Sequence, residues 1–259
     1  MMANNQPIGF FDSGVGGISV LQAAVALLPQ EDFIYYGDSA NAPYGDKTVE
    51  EIQGLTARAV DFLLAKGCKA IVVACNTATS AAIDLIRETY PQIPIIGIEP
   101  ALKVAMDHTS QGKVLVLATL RTLQEKKFQD LSDRYAQTRT VIRRPLPGLV
   151  EIIEKGGDFQ EKSFQFLQRA LADVDKDVSA VVLGCTHYPF IKPSLRRLFT
   201  GDTLIVDGSE GTSRHLRDVL AEKGLLAEAG HPGSVTFYNS SPDPSMIDLS
   251  RALLQEEAR

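Results

Sequence analysis

Two of the three cysteines stand in two copies of one pattern. The chain reads "AIVVACNTAT" over 70–79 and "AVVLGCTHYP" over 180–189, in register at an offset of 110. In each copy an apolar, β-branched run ends in a thiol, Cys75 or Cys185. Small polar residues follow: Asn76 and Thr77 in the first, Thr186 and His187 in the second. Buried parallel strands deliver ligand-binding residues at their carboxyl ends. A thiol there, with a helix opening behind it, feels the positive end of the helix dipole, and its thiolate is favoured. The amides of that first turn can hold a carboxylate. A lone cysteine at a strand end is usually packing, and Cys68, which has no such neighbours, is read that way. The pairing is what asks for chemistry. Two thiols on opposite sides of one ligand suit racemisation or epimerisation at a carbon next to a carboxylate. One sulfur removes the proton as thiolate while the other, as thiol, delivers one to the opposite face. With a thiol pKa near 8.5, modest local help would tune the pair toward neutrality.

Other stretches could complete such a site. In "GFFDSGVGGISVL" a strand ends, Asp12 and Ser13 follow, and glycines lead into a helix, so backbone amides can approach a ligand. The spacing is neither GxGxxG nor GxxxxGK[ST], which weighs against a nucleotide. Asp12 could serve Cys75 by accepting a proton from an ammonium group or by orienting the thiol. In "YYGDSANAPYG" a shaped loop presents the Tyr44 hydroxyl beside Gly45. His187, two residues after Cys185, can act as acid, base or thiol partner. His108, His215 and His231 are read as incidental. The sixth residue after each paired cysteine is Ala81 or Ile191, which excludes a CxxxxxR phosphatase.

The elements that must position these residues follow an alternating pattern. Strands are expected at 8–11, 33–36, 70–74, 95–98, 114–118, 138–142, 180–184, 204–206 and 234–238, many of them continuously apolar as strands buried on both faces are. Helical spacing fills "GGISVLQAAVALLP", "TVEEIQGLTARAVDFLLAKG", "FQEKSFQFLQRALADV" and "TSRHLRDVLAEKGLL". The order implies βαβ units and mainly parallel sheets. The internal echo favours an α/β protein of two similar lobes over one wide sheet, each lobe a mainly parallel sheet flanked by helices, with the active site in the cleft between them. Residues 1–99 with 208–259 are expected to form the first lobe and 100–207 the second. The net charge of −6 and the lack of a basic run argue against nucleic acid. No apolar run reaches membrane-spanning length, and the start lacks the features of a secretory signal, so a cytoplasmic protein with free thiols is expected. No CxxC pair suggests a metal site.

Taken together and in order, "FFDSGVGGISVL", "YYGDSANAPYG", "VVACNTATS" and "VLGCTHYP" resemble the glutamate racemases of bacterial cell-wall synthesis, over nearly the whole chain. "ATLRTL" resembles that family's Gly-Thr-x-x-Thr stretch, with Ala118 in place of the common Gly, and "VDGSEGTSRHL" resembles its segment returning to the first lobe. The resemblance implies a cofactor-independent, two-cysteine racemase that supplies D-glutamate for peptidoglycan, usually as a homodimer. It implies that Cys75 works on the D-glutamate face, assisted by Asp12, and Cys185 on the L-glutamate face, assisted by His187. It further implies that glutamate is held by Asp12, Ser13, Tyr44, Gly45, Asn76, Thr77, Thr119, Thr122, Thr186 and His187. "GLVEIIEKGG" resembles the stretch bearing an assisting Glu, placed at Glu151 with Glu154 as competitor; "RRPLPG" precedes it where many members carry Cys-Pro. Three other classes compete: a racemase for aspartate or a hydantoin; a Cys-His hydrolase or amidotransferase using Cys185 and His187; and an amino-acid-binding protein without turnover.

Overall fold

The computed structural model describes residues 5–98, 101–109, 111–124, 126–136, 139–199 and 201–256. Nine strands and eleven α-helices alternate along them. The strands are β1 (Ile8–Asp12), β2 (Asp32–Gly37), β3 (Ala70–Val73), β4 (Ile95–Gly97), β5 (Lys113–Ala118), β6 (Thr140–Pro145), β7 (Ala180–Gly184), β8 (Leu204–Asp207) and β9 (Ser234–Asn239). The helices of the first half are α1 (Ile18–Leu27), α2 (Val49–Ala65), α3 (Asn76–Thr89), α4 (Leu102–His108), α5 (Leu120–Gln124) and α6 (Lys126–Ala136). Those of the second are α7 (Leu149–Glu154), α8 (Phe159–Ala170), α9 (Lys192–Leu198), α10 (Ser209–Glu222) and α11 (Ser245–Gln255).

The chain divides into two units, Met1–Glu99 with Ser209–Glu256 and Pro100–Gly208. Unit one holds a sheet of order β4-β3-β1-β2-β9, and unit two a sheet of order β6-β5-β7-β8; every pairing is parallel. The first four strands of each unit follow the same plan. The first strand lies inside, the second pairs on one flank, and the third and fourth follow on the other. This shared topology accounts for the echo in the sequence, because Cys75 and Cys185 each follow the third strand of their unit. β9 is the one strand without a counterpart and is added to the β2 edge.

The central strands are legible from physics alone. Ile8, Phe10 and Phe11 of β1, all of β3 and nearly all of β5 and β7 are buried, as a sheet covered by helices on both faces requires. In unit one, α2 and α3 seal one face of the sheet: Ile52, Leu55, Leu63, Ile83 and Ile86 pack with Phe11, Ile71 and Val73. Thr48 starts α2 with a capping box, its hydroxyl accepting from Glu51 N while Glu51 Oε2 accepts from Thr48 N. In unit two, Leu102, Met106, Phe128, Val114, Val116 and Val182 form the corresponding core.

The structure moves the expected strand at 138–142. β6 runs Thr140–Pro145, and Thr138 lies outside the described residues. β6 is an edge strand and half-exposed, so it carries Arg143 and Arg144, which pair with Asp133 and Asp173. A hydrophobicity pattern ends too early at such charges.

Candidate active site

In a sheet of this order the chain leaves the first strand toward one flank and later returns to the other. The switch point lies between the first and third strands, and ligands bind outside the carboxyl ends there. In unit one that point is bounded by Asp12 and Ser13, at the end of β1, and by Cys75, after β3. In unit two it is bounded by Thr119, after β5, and by Cys185, after β7. These four turns therefore stand where a parallel sheet binds ligands, while the loop carrying Tyr44 and Gly45 follows β2.

Unit one brings together Asp12, Ser13, Tyr44, Cys75, Asn76 and Thr77. Cys75 caps α3: its Sγ accepts from Ala78 N at 3.4 Å and lies 3.4 Å from Ser13 Oγ. Asp12 is fully buried, and its Oδ2 accepts from Gly14 N at 3.0 Å. Gly17 cannot carry a side chain, because a Cβ would stand 2.6 Å from Asp12 Cβ and 3.0 Å from Ala74 Cβ. The Tyr44 hydroxyl is committed to Asp38, donating to its Oδ2 at 2.7 Å, while Asn41 Nδ2 donates to the other oxygen at 2.9 Å. Burial and the adjoining Asp38 push the Tyr44 pKa far above its ordinary value. Gly45 has open space where a side chain would be. Asp38, almost wholly buried, is not among the residues expected from "GDSAN", although a carboxylate directly after a buried strand is the same signal that identified Asp12.

The electrostatics of this half differ from expectation. Burial, reinforced by the Asp12 carboxylate, pushes the Cys75 thiol up to about 12, against smaller help from Ser13 and the α3 amides. The helix terminus is present as expected, but desolvation outweighs it. A cation brought beside Asp12 would oppose that shift, which is what an amino-acid ammonium carries. Cys68 is buried as well and pushed up to about 12 by burial alone, consistent with packing against the β1 backbone at Gly9.

Unit two differs again. No α-helix opens directly behind Cys185. Residues 185–187 form a turn, a 3-10 turn spans Tyr188–Ile191, and α9 begins only at Lys192. Pro189 and Pro193 lack the N–H groups that a continuous helix would use, so the expected dipole is replaced by a side chain. Cys185 Sγ lies 3.8 Å from His187 Nδ1, and His187 Nε2 lies 2.8 Å from Glu154 Oε1. A carboxylate only accepts, so Nε2 carries the hydrogen and Nδ1 is the position left to exchange a proton with sulfur. Burial disfavours charged His187, yet its hydrogen bonds to Cys185 and Glu154 prevail and hold its pKa well above the ordinary 6.5.

Of the two acidic candidates, Glu154, at the end of α7, is the one that reaches His187. Glu151 lies exposed in the first turn of that helix. Thr119 and Thr122 are joined, Oγ1 to Oγ1, at 2.9 Å, and Thr119 Oγ1 also accepts from Thr122 N. Ala118 fits because its neighbour on β7 is Gly184, where a Cβ would meet Ala118 Cβ at 2.9 Å. Thr186 is buried beside His187. Among the described residues no cluster of His, Cys, Asp and Glu could hold a metal ion, and no helix is long and apolar enough to cross a membrane.

Known proteins are similar to this chain over most of its length. The family model described as Asp/Glu/Hydantoin racemase matches residues 16–212. A glutamate racemase from Clostridium botulinum is 52% identical over 254 residues, 98% of either chain. The crystal structure of glutamate racemase isoform RacE1 from Bacillus anthracis superposes with a TM-score of 0.86 at 31% identity, covering 97% of this chain and 94% of that one. Glutamate racemase from Francisella tularensis, solved in complex with D-glutamate, gives a TM-score of 0.81 at 32% identity over 98% and 95% of the chains. With a matching model over most of its length and such relatives end to end, the chain belongs to the Asp/Glu/hydantoin racemase family.

Proposed function

We propose that this protein is a cofactor-independent glutamate racemase, interconverting L- and D-glutamate by proton transfer between the α-carbon and two cysteines. The observation that carries the reading is the equivalent placement of Cys75 and Cys185. Each follows the third strand of its unit at the switch point of a sheet whose first four strands share one order. Relatives named glutamate racemase, one of them solved with D-glutamate, support glutamate as the substrate.

Cys75 serves the D-glutamate face and Cys185 the L-glutamate face. From L-glutamate, Cys185 thiolate takes the α-proton and Cys75 thiol donates one to the opposite face; from D-glutamate the roles reverse. The two halves are prepared differently. His187 exchanges a proton with Cys185 through Nδ1, and Glu154 holds the imidazole by Nε2. Cys75 has no imidazole; Asp12 receives the substrate ammonium, whose positive charge offsets the desolvation that holds the thiol protonated. Ser13, Tyr44, Gly45, Asn76, Thr77, Thr119, Thr122, Thr186 and His187 hold the substrate, chiefly through the backbone amides and hydroxyls of their turns. Glu154 takes the assisting role expected of Glu151. The product feeds peptidoglycan synthesis in the cytoplasm, and the active form is a homodimer.

The test offers L-glutamate to the purified protein without added cofactor and follows optical rotation. Decay to zero rotation supports the proposal, with Cys75→Ala and Cys185→Ala each inactive and Cys68→Ala active. Unchanged rotation with folded protein overturns it. The Cys185–His187–Glu154 arrangement also favours a second reading, a Cys-His hydrolase. Release of ammonia from glutamine, independent of Cys75, would select that instead.

A further inference from the structure

We propose that Asn239 is a positioning residue for substrate binding, fixing the turn that carries Asp38, Tyr44 and Gly45. The inference rests on the glutamate site proposed above. Asn239 is the last residue of β9, the strand that unit two lacks, and it lies beyond the residues matched by the family model. β9 pairs with β2 so that Asn239 stands opposite Gly37, the residue at which β2 ends.

The Asn239 amide is held at both ends. Its Oδ1 accepts from Ser241 N at 2.8 Å, and its Nδ2 donates to Ser39 Oγ at 2.9 Å. The next residue adds two bonds to the same turn: Ser240 N donates to Gly37 O at 2.9 Å, and Ser240 Oγ accepts from Ala40 N at 3.0 Å. A Cβ at Gly37 would lie 2.9 Å from Asn239 Nδ2 and 2.6 Å from Gly14 O. Gly37 therefore has no room for a side chain between the Asn239 amide and the turn after β1. From there the geometry passes to the substrate residues. Asp38 N donates to Asp12 O at 2.9 Å, and the Asp38 carboxylate receives the Tyr44 hydroxyl. Loosening residues 37–41 displaces Tyr44 and Gly45 without touching either cysteine.

Such a residue acts on binding shared by ground state and transition state, so its loss raises KM and leaves kcat nearly unchanged. In the full chain, Asn239→Ala is expected to raise KM for glutamate roughly fivefold, the worth of one net hydrogen bond. Amide hydrogen exchange over 38–46 should quicken while that over 49–65 stays as in the parent. Ser39→Ala should show an effect of the same kind, and the double variant should be no worse than Asn239→Ala alone, because the Asn239–Ser39 contact is already lost there. Ser240→Ala, which removes the bond from Ala40 N and the side-chain bond to Tyr36 but leaves the Asn239–Ser39 contact, should give an effect of the same kind, and it serves as the test variant if Asn239→Ala does not fold. Unchanged exchange over 38–46, additive effects, or a fall in kcat with KM unchanged would overturn the proposal. If the parent protein does not turn over glutamate, the proposed function fails, and hydrogen exchange alone decides the role of Asn239.

Discussion

Replacing Glu154 with Gln keeps the shape of the side chain and an oxygen for His187 Nε2 but removes the charge. The pair is 2.8 Å apart, with His187 at 5% and Glu154 at 21% side-chain exposure. At an effective dielectric constant of about 20, two charges at that distance attract by about 6 kcal/mol before desolvation is subtracted. Partial exposure of Glu154 screens the pair, and burial of the imidazolium costs part of the remainder. Hydrogen bonds to charged groups are worth roughly 1.5–3 kcal/mol net, and a neutral one about 1. The substitution should therefore cost about 1.4 kcal/mol, a tenfold weaker hold on the second His187 proton. The pH dependence follows from the raised folded-state pKa. A histidine that gains a partner on folding contributes stability that is complete below the unfolded pKa of about 6.5 and lost as pH rises through the folded value. The Gln variant should thus melt below the parent at pH 6 and approach it in alkaline solution. The assay is a proton NMR titration of the imidazoles, with the His187 resonance assigned by its loss in His187→Gln. A His187 midpoint lower than in the parent supports the arrangement. An unchanged midpoint, or a melting deficit that grows with pH, refutes it.

Two further perturbations follow from the same geometry. Asp12→Asn removes a charge that pushes the Cys75 thiol up, so alkylation of Cys75 in the ligand-free protein should become several-fold faster at fixed pH near 9, read by mass spectrometry of the modified peptide; slower alkylation would contradict the assigned cause. Lys69→Met leaves Glu31 buried without its ion-pair partner 2.6 Å away, and a loss of about 3–5 kcal/mol is expected, read as a large drop in melting temperature.

The sequence made the central strands legible because strands covered on both faces cannot hide their composition. The runs that became β1, β3, β5 and β7 are almost wholly apolar, and they place both cysteines and Asp12 at strand ends. β6 was harder, since an edge strand tolerates Arg143 and Arg144 and ends in Pro145. The short helices α4, α5, α7 and α9 are held by packing, and seven or fewer residues give too little periodicity to be read. The environment of each thiol was the least visible part. A helix behind Cys75 follows from "CNTATS", but desolvation at that sulfur depends on everything packed around it. Behind Cys185, Pro189 and Pro193 signal the broken helix. The partnership of His187 with Glu154 joins residues 33 positions apart, and no local pattern separates Glu154 from Glu151. Asp38 carried a readable signal in its position after β2.

The central claim is that two different sulfurs act on the two faces of one α-carbon. It is tested most directly by the isotope content of the first product formed in deuterium oxide. Starting from L-glutamate and stopping at low conversion, D-glutamate and residual L-glutamate are separated and weighed by mass spectrometry. Two fixed bases predict D-glutamate with one deuterium at the α-carbon and residual L-glutamate with essentially none. D-glutamate that keeps the original α-proton would mean that one group carries the proton across, and the account would be wrong.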